Sequence, residues 1–408
     1  MREDAEIRQL GDVAYLAGRI GWKGLTAKEY TAEGPLFLSV HGLNYGDYVD
    51  FRDAFHISQA RYDESPEITL QKDDILICKD GAGIGKVGII GELPGPATIN
   101  SSLLLIRANE DVLPKYLYHA LCSPLFQSVV QERIDGATTP HLYQREIRLL
   151  GVPLPSRSEQ QRIVGILDEA FEGVATAKAN AERNLNSARA LFESELNAVF
   201  TRRGEGWEEK SLEDVLIVQP QNGWSPPAAH HSDSGTPVLT LSSVTGFEFK
   251  PGKVKFTSAA TDARRHYWVR NGDLLITRSN THELVGHVAI AAGIHQPTIY
   301  PDLIMRMNPK PADATPEFLY YQMRSTSLRR LITGRAQGAN PTMKKISNAA
   351  VRSLPIAIPS LKVQAAVVEK LRALNEGAQH LASIYERKVG ALSALKRTLL
   401  HDAYSGKL

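Results

Sequence analysis

Only two cysteines, Cys78 and Cys122, stand in 408 residues. Both sit in apolar surroundings, and neither has a partner at metal-ligand spacing. Buried thiols are therefore expected, not a disulfide framework or a zinc site. Long apolar runs are missing too: nothing approaches the about 18 consecutive apolar residues that suggest a membrane-spanning helix. Met1 to Glu6 show no features of a secretory signal, so the cytoplasm is the expected compartment. A net charge of +2 is low for a stand-alone nucleic-acid binder. Acid is locally absent, however. Arg324, Arg329, Arg330, Arg335, Lys344 and Lys345 fall in a window without a single Asp or Glu. Such a run is either a solvated helix face or an anion-binding surface.

What the chain does have is a copy of itself. Leu10-Gly11-Asp12-Val13 returns as Leu212-Glu213-Asp214-Val215, and Gly21-Trp22 returns as Gly223-Trp224. Lys72 to Ile77 returns as Asn271 to Ile276, Pro114 to Tyr118 as Pro316 to Tyr320, and Ser156 to Gln160 as Ser360 to Gln364. The offset drifts by a few residues only where loops would lengthen or shorten. A period near 200 residues is far too long for a solenoid. One unit, a domain followed by a helix, is duplicated, and a pseudo-two-fold molecule suited to a two-part target is expected.

Leu36 to Val40, Asp74 to Cys78, Val87 to Ile90 and Leu103 to Arg107 read as strands punctuated by Gly, Pro, Asn and Asp. Pro114 opens a helix whose apolar side continues through Leu117, Leu121, Leu125, Val129 and Ile134, with Gly136 as its stop. Gly136 to Pro140, and its counterpart Gly338 to Thr342, then read as exposed loops that each launch a helix N-terminus able to meet an anion. The clearest periodic signal follows. Ile163, Leu167, Val174, Leu185 and Phe192 belong to one apolar stripe, and Leu371, Leu374, Leu381, Val389 and Leu392 to another. Each predicts a helix of about 40 residues, roughly 60 Å long. Such stripes are too apolar to stay wet, and an antiparallel pair packed on each other is expected.

Pro153-Leu154-Pro155 before Ser156 to Leu167, with Glu159-Gln160 inside it, resembles the start of the spacer helix in type I restriction–modification specificity subunits. The second copy keeps Pro359 and Gln364 but has Val363 in place of the Glu. Ala403 to Leu408 resembles that family's ending, as do Lys79 to Gly88 and Asn100-Ser101-Ser102. The resemblance covers the whole chain. It implies a mixed α/β (α+β) fold: a target recognition domain at 1–156, a spacer helix at 157–203, a second recognition domain at 204–360 and a second spacer helix at 361–408. It further implies that each domain reads one half of a bipartite, asymmetric DNA sequence. The paired helices would set the unspecified gap and dock two methyltransferase subunits. Two restriction (motor and nuclease) subunits would join them, with S-adenosylmethionine, ATP and Mg held by the partners and no cofactor in this chain.

The residues expected at DNA lie in the matched loops. In the first domain they are Arg19, Trp22, Lys23, Lys79, Lys86, Asn100, Ser101, Thr138, Thr139 and His141. In the second they are Asn222, Trp224, Arg278, Asn280, His282, Arg335, Asn340, Thr342 and Lys344. Arg and Lys suit guanine or phosphate, Asn suits adenine, and Ser or Thr suit either. The tryptophans could equally be packing residues.

Other chemistries fit poorly. Gly83 to Gly88 matches G-x-G-x-x-G, but a β-like run follows it in place of a helix, and the second copy has no glycine array. Ser225-Pro226-Pro227-Ala228 approaches the Asn/Asp-Pro-Pro-aromatic motif of adenine methyltransferases but lacks the aromatic. His230-His231 has no further ligand at useful spacing. The alternatives to a non-catalytic DNA-reading subunit are a self-contained adenine methyltransferase and a coiled-coil scaffold of another assembly.

Overall fold

The computed structural model describes residues 6–19, 25–134, 141–340 and 343–408. The chain divides into two compact units, Met1–Glu182 with Arg387–Leu408, and Arg183–Glu386.

The first unit is built on a four-stranded antiparallel sheet in the order Ala14–Gly18, Leu103–Ala108, Ile75–Cys78, Val87–Ile89. Beside it, Tyr30–Leu38 pairs antiparallel with Phe55–Ile57 and parallel with Ala97–Ile99. Glu6–Gln9 pairs with Gly151–Leu154. Because Ile75–Cys78 is buried on both faces, it reads as an unbroken apolar run, as do Leu103 to Ile106 of the neighbouring strand. One face packs Ile75, Ile77, Leu104 and Ile106 against the helices; the other packs Leu76, Leu103 and Leu105 against Leu38, Ile90 and Ile99.

The second unit repeats this plan. Its four-stranded sheet runs Leu216–Asn222, Ile304–Pro309, Leu274–Thr277, Val288–Ile290. Three further strands, His231–Ser232, Val254–Thr257 and Thr236–Leu239, form the second sheet, and Glu208–Ser211 pairs with Pro355–Ile358. The parallel pairing of the first unit survives as the single bridge Val238↔Ile299. The duplication therefore holds at the level of strand order, while Leu216–Asn222 carries register shifts that Ala14–Gly18 lacks.

Two local expectations are corrected. The helix expected to run from Pro114 to Gly136 is two helices, Pro114–Cys122 and Pro124–Glu132. Pro124 has no N–H to continue the first helix and is well placed in the first turn of the next. Ser123 caps that next helix, accepting from the Phe126 N–H at 3.3 Å. The second copy breaks at the same place, between Pro316–Arg324 and Thr326–Arg335, where the Ser325 hydroxyl donates to the Gln322 carbonyl at 2.6 Å. The helix expected to start near Pro341 starts later: Lys344–Lys345 is a short strand, and Asn348–Arg352 follows with Ser347 as its cap. Lys344 and Lys345 are thus bound into a strand pair with Asn280 and Ser279, and the helix begins beyond them.

Two long helices, Arg157–Arg202 and Leu361–Ser405, have 46 and 45 residues. Within the first unit, Ile163, Leu167 and Phe171 pack with Leu400, Ala403 and Tyr404. Arg162 donates to the Leu408 carbonyl at 3.0 Å and the Lys396 ammonium sits 4.6 Å over the Phe171 ring, so the two stretches run antiparallel there. Within the second unit, Phe192, Leu196 and Phe200 share a core with Val368 and Leu371, partly buried Leu374 packs beside them, and Lys370 pairs with Glu195. Val174, Leu185, Val389 and Leu392 are half-buried. Leu381, expected in the packing stripe, is exposed. The partly buried positions run Leu374, Ala378, Ala382 and Tyr385, and at about 100° of rotation per residue Leu381 lies at the edge of the stripe they form.

The glutamines of the helix-start motif have a specific task, identical in both units. The Gln160 amide, almost wholly buried, donates to the Asp111 and Pro155 carbonyls at 3.1 and 3.0 Å and accepts from the Leu113 N–H at 2.8 Å. Gln364, fully buried, donates to the Asp313 and Pro359 carbonyls at 2.8 and 2.9 Å and accepts from the Thr315 N–H at 3.1 Å. Each one ties the first turn of a long helix to the loop that opens the Pro114 or Pro316 helix.

Candidate nucleic-acid interface

Strand direction decides where the matched loops go. In the first unit, Ala14–Gly18 and Ile75–Cys78 end, and Val87–Ile89 and Leu103–Ala108 begin, at the same edge of the four-stranded sheet. That edge gathers Lys79, Lys86, Asn100 and Ser101. Three loops are stitched there by main-chain bonds: Lys79 N–H donates to the Ser102 carbonyl at 2.8 Å, and Leu142 N–H donates to the Lys79 carbonyl at 2.9 Å. Asp80 and His141 form an isolated bridge, and their side chains are paired. The second unit repeats the stitching. Arg278 N–H donates to the Leu303 carbonyl at 2.8 Å, Ile346 N–H donates to the Arg278 carbonyl at 2.9 Å, and Asn280 pairs with Lys344. The two loops singled out separately in each copy are one surface.

The side chains on the two surfaces differ in how they are compensated. Lys79 is paired with Asp80 at 3.1 Å and is only 15% exposed at the side chain. Lys86, exposed, donates to the Asn44 amide oxygen at 2.6 Å. The Asn100 amide oxygen accepts from the Ser102 N–H at 3.1 Å, and Ser101 is exposed. In the second unit the Asn280 amide donates to the Thr245 hydroxyl at 3.2 Å, and Lys344 donates to the Gly338 carbonyl at 2.5 Å. His282 and Asn340 are exposed. Half-buried Trp224 leans on Tyr267, ring centroids 5.2 Å apart, and Asn222 offers its carbonyl to His266 at 2.9 Å. Gly223 lets this strand end pass the Tyr300 backbone: a Cβ there would stand 1.9 Å from the Tyr300 carbonyl oxygen. Trp22, Lys23, Thr138, Thr139 and Thr342 lie outside the described residues.

Of the residues expected at DNA, Arg19 faces inwards and half-buried Arg335 is tied to a neighbouring helix. Arg19 is 4% exposed; it donates to the Ile99 carbonyl at 3.0 Å and to the Thr98 and Ser65 hydroxyls at 3.2 and 3.4 Å. Burial lowers its pKa. It bridges the two sheets of the first unit and is not available to a ligand. Arg335 donates to the Ala350 carbonyl and the Ser353 hydroxyl at 3.0 and 3.1 Å, joining two helices. The acid-free window is thus divided: Arg324, Arg329 and Arg335 are half-buried and held by the protein, whereas Arg330 and Lys345 are exposed. Arg329 is held by the Glu283 and Val285 carbonyls, and burial lowers its pKa to about 10. Arg324 stacks between Phe192 and Phe247. His287, under these arginines, is pushed down to about 4, chiefly by burial and then by the Arg329 charge. Its Nδ1 accepts from the Gly246 N–H and its Nε2 faces the Glu283 carbonyl, the pattern of a neutral ring.

Sequence reasoning missed Asn44 and Thr245, which follow matching short turns and touch the Lys86 and Asn280 loops in their respective units. It also missed exposed Tyr143 and Arg145, stacked at 4.8 Å beside His141. The shared spacing of Ser39 to Asn44 and Thr240 to Thr245 carried the signal for the first pair. Cys78 is buried and Cys122 partly so, and neither is in a disulfide. Among the described residues no cluster of metal ligands occurs, and no helix is long and apolar enough to cross a membrane.

The comparisons with known proteins agree with this fold. The family model for the type I restriction modification DNA specificity domain matches twice, at residues 2–183 and 204–383. The EcoKI specificity subunit of Escherichia coli K12 is 22% identical over 402 residues, covering 92% of this chain and 86% of that protein. The StySPI specificity subunit of Salmonella potsdam is 20% identical, covering 95% and 89%. Among solved structures, a chain of a type I R-M system studied for complex assembly and conformational transition aligns with a TM-score of 0.78 at 18% identity, covering 100% of this chain and 99% of its own. The HsdS subunit from Thermoanaerobacter tengcongensis aligns at 0.55 and 16%, covering 100% and 98%. With both halves matched by the same model and the same sheet order in each, the chain belongs to the type I restriction–modification specificity subunits and holds two target recognition domains.

Proposed function

We propose that each domain reads one half of a bipartite, asymmetric DNA site with the stitched loop surface at its sheet edge. The observation that carries this is the convergence, in both units, of the same loops at the same edge, held by matching main-chain bonds while the side chains differ. A common frame with different side chains is what two readers of two different half-sites require. Phosphate contacts would come from the exposed cations, and partners closing round the duplex would supply the rest of the neutralisation that a chain of net charge +2 lacks.

In this reading the chain is not an enzyme. The long helices set the gap between half-sites and dock two methyltransferase subunits, which hold S-adenosylmethionine and modify adenine N6. Two restriction subunits, consuming ATP with Mg, complete the complex, in the cytoplasm. The test is co-expression with the methyltransferase subunit in a methylation-free host, followed by genome-wide mapping of N6-methyladenine. A single asymmetric motif, two short half-sites with a fixed gap, is the expected result. Methylation at one continuous motif, or none with both proteins associated, refutes it.

A further inference from the structure

The two units place a cation at the same main-chain position, the residue just past the central strand. There, Lys79 and Arg278 each donate to the loop before the neighbouring strand and accept from the loop after the helices. Their side chains are in opposite situations. Lys79 is neutralised by the adjacent Asp80 carboxylate. Arg278 has an acid next to it in space, Asp302, but that carboxylate accepts from the Ser225 hydroxyl. Among the described residues Arg278 reaches only the Asp302 main-chain carbonyl, at 3.5 Å, and its Nε is buried with no partner there. A guanidinium carries five N–H donors in a rigid plane, and a buried donor left unpaired requires an explanation. The main chain of Arg278 is bonded on both sides, so the fork stands on a fixed platform among the reading loops.

We propose that Arg278 is a specificity-determining residue that reads a guanine in the half-site of the second domain, its fork donating to O6 and N7 in the major groove. This is the geometry in which a planar two-pronged donor discriminates one base pair from the others. The proposal rests on the DNA-recognition reading above. It also assigns an asymmetry: the equivalent Lys79, already paired, does not read a base this way.

The test uses the full chain assembled with its methyltransferase subunit. Wild type, Arg278→Lys, Arg278→Ala and Lys79→Ala are compared on duplexes bearing the mapped motif, with each base pair replaced in turn. Both Arg278 variants should lose discrimination at one G·C pair of one half-site by roughly ten- to a hundredfold, the other half-site remaining unchanged. Arg278→Lys keeps the charge, so its salt dependence should stay that of wild type. Lys79→Ala should leave that G·C position untouched. Weakening that is uniform across sequences, with a reduced salt slope in Arg278→Ala, marks a phosphate contact and overturns the proposal. Unchanged specificity in assembled Arg278 variants, or a motif with no G·C pair in either half-site, also overturns it. Failure of the underlying reading is distinct, because wild type would then show no bipartite motif.

Discussion

Replacing Gln364 by Leu removes a side chain of similar volume from a fully buried position and leaves three main-chain groups unpaired: the Thr315 N–H and the Asp313 and Pro359 carbonyls. Each unpaired buried group costs about 1–3 kcal/mol. Partial relaxation and water entry offset some of this, which leaves a net loss of about 3–5 kcal/mol. That is a large share of the about 5–15 kcal/mol that holds a typical domain. Urea unfolding followed by tryptophan emission is the suitable assay, because Trp207, Trp224 and Trp268 all lie in the second unit. The midpoint should fall sharply in Gln364→Leu and little in Gln160→Leu, whose damage is confined to the first unit. A loss below about 0.5 kcal/mol in Gln364→Leu would refute the reasoning that the motif glutamine is a main-chain tie.

Arg19→Ala should lower stability by about 2–4 kcal/mol, since it strips partners from buried Thr98, Ser65 and the Ile99 carbonyl. The salt slope of DNA binding by the assembled complex should not change, and a drop of about one phosphate contact would show that Arg19 reaches DNA. Gly223→Ala should destabilise the second unit by several kcal/mol, about 3 or more, because the new methyl meets the Tyr300 carbonyl and the backbone must move. Equal thermal midpoints for the variant and wild type would contradict this. His287 titrates near 6.5 when unfolded and near 4 when folded, so the unfolded state takes up the proton first as pH falls. Stability contributed by its neutral ring is therefore complete above about pH 6.5 and lost towards pH 4, by about 3 kcal/mol in full. Urea titrations across that window should show the slope, and His287→Gln should lack it.

Much of the fold was legible in the chain because its signals are local and occur twice. The Pro–Gln start of each long helix, the apolar runs of the central strands and the offset between copies all sit within short windows. The break at Ser123 was missed because apolar spacing continues across it, and Pro124 counts as a stop only once the Ser cap is seen. Leu381 was misplaced because a small residue, Ala382, holds the inward position and a large apolar neighbour draws the eye. Arg19 looked like a loop cation, and its burial depends on Thr98 and Ile99, about 80 residues away. Likewise, that Lys79, Ser101 and His141 share one surface follows from strand order, which no window of sequence contains.

The most direct test of the central claim, that reading is confined to the stitched loops on a shared frame, is a loop exchange. Residues 278–286, 302–303 and 337–346 are replaced by 79–86, 101–102 and 135–142, the chain is assembled with its methyltransferase subunit, and N6-methyladenine is mapped. The account predicts a motif in which both half-sites carry the sequence of the first domain's half-site. A motif whose second half is unchanged would contradict it.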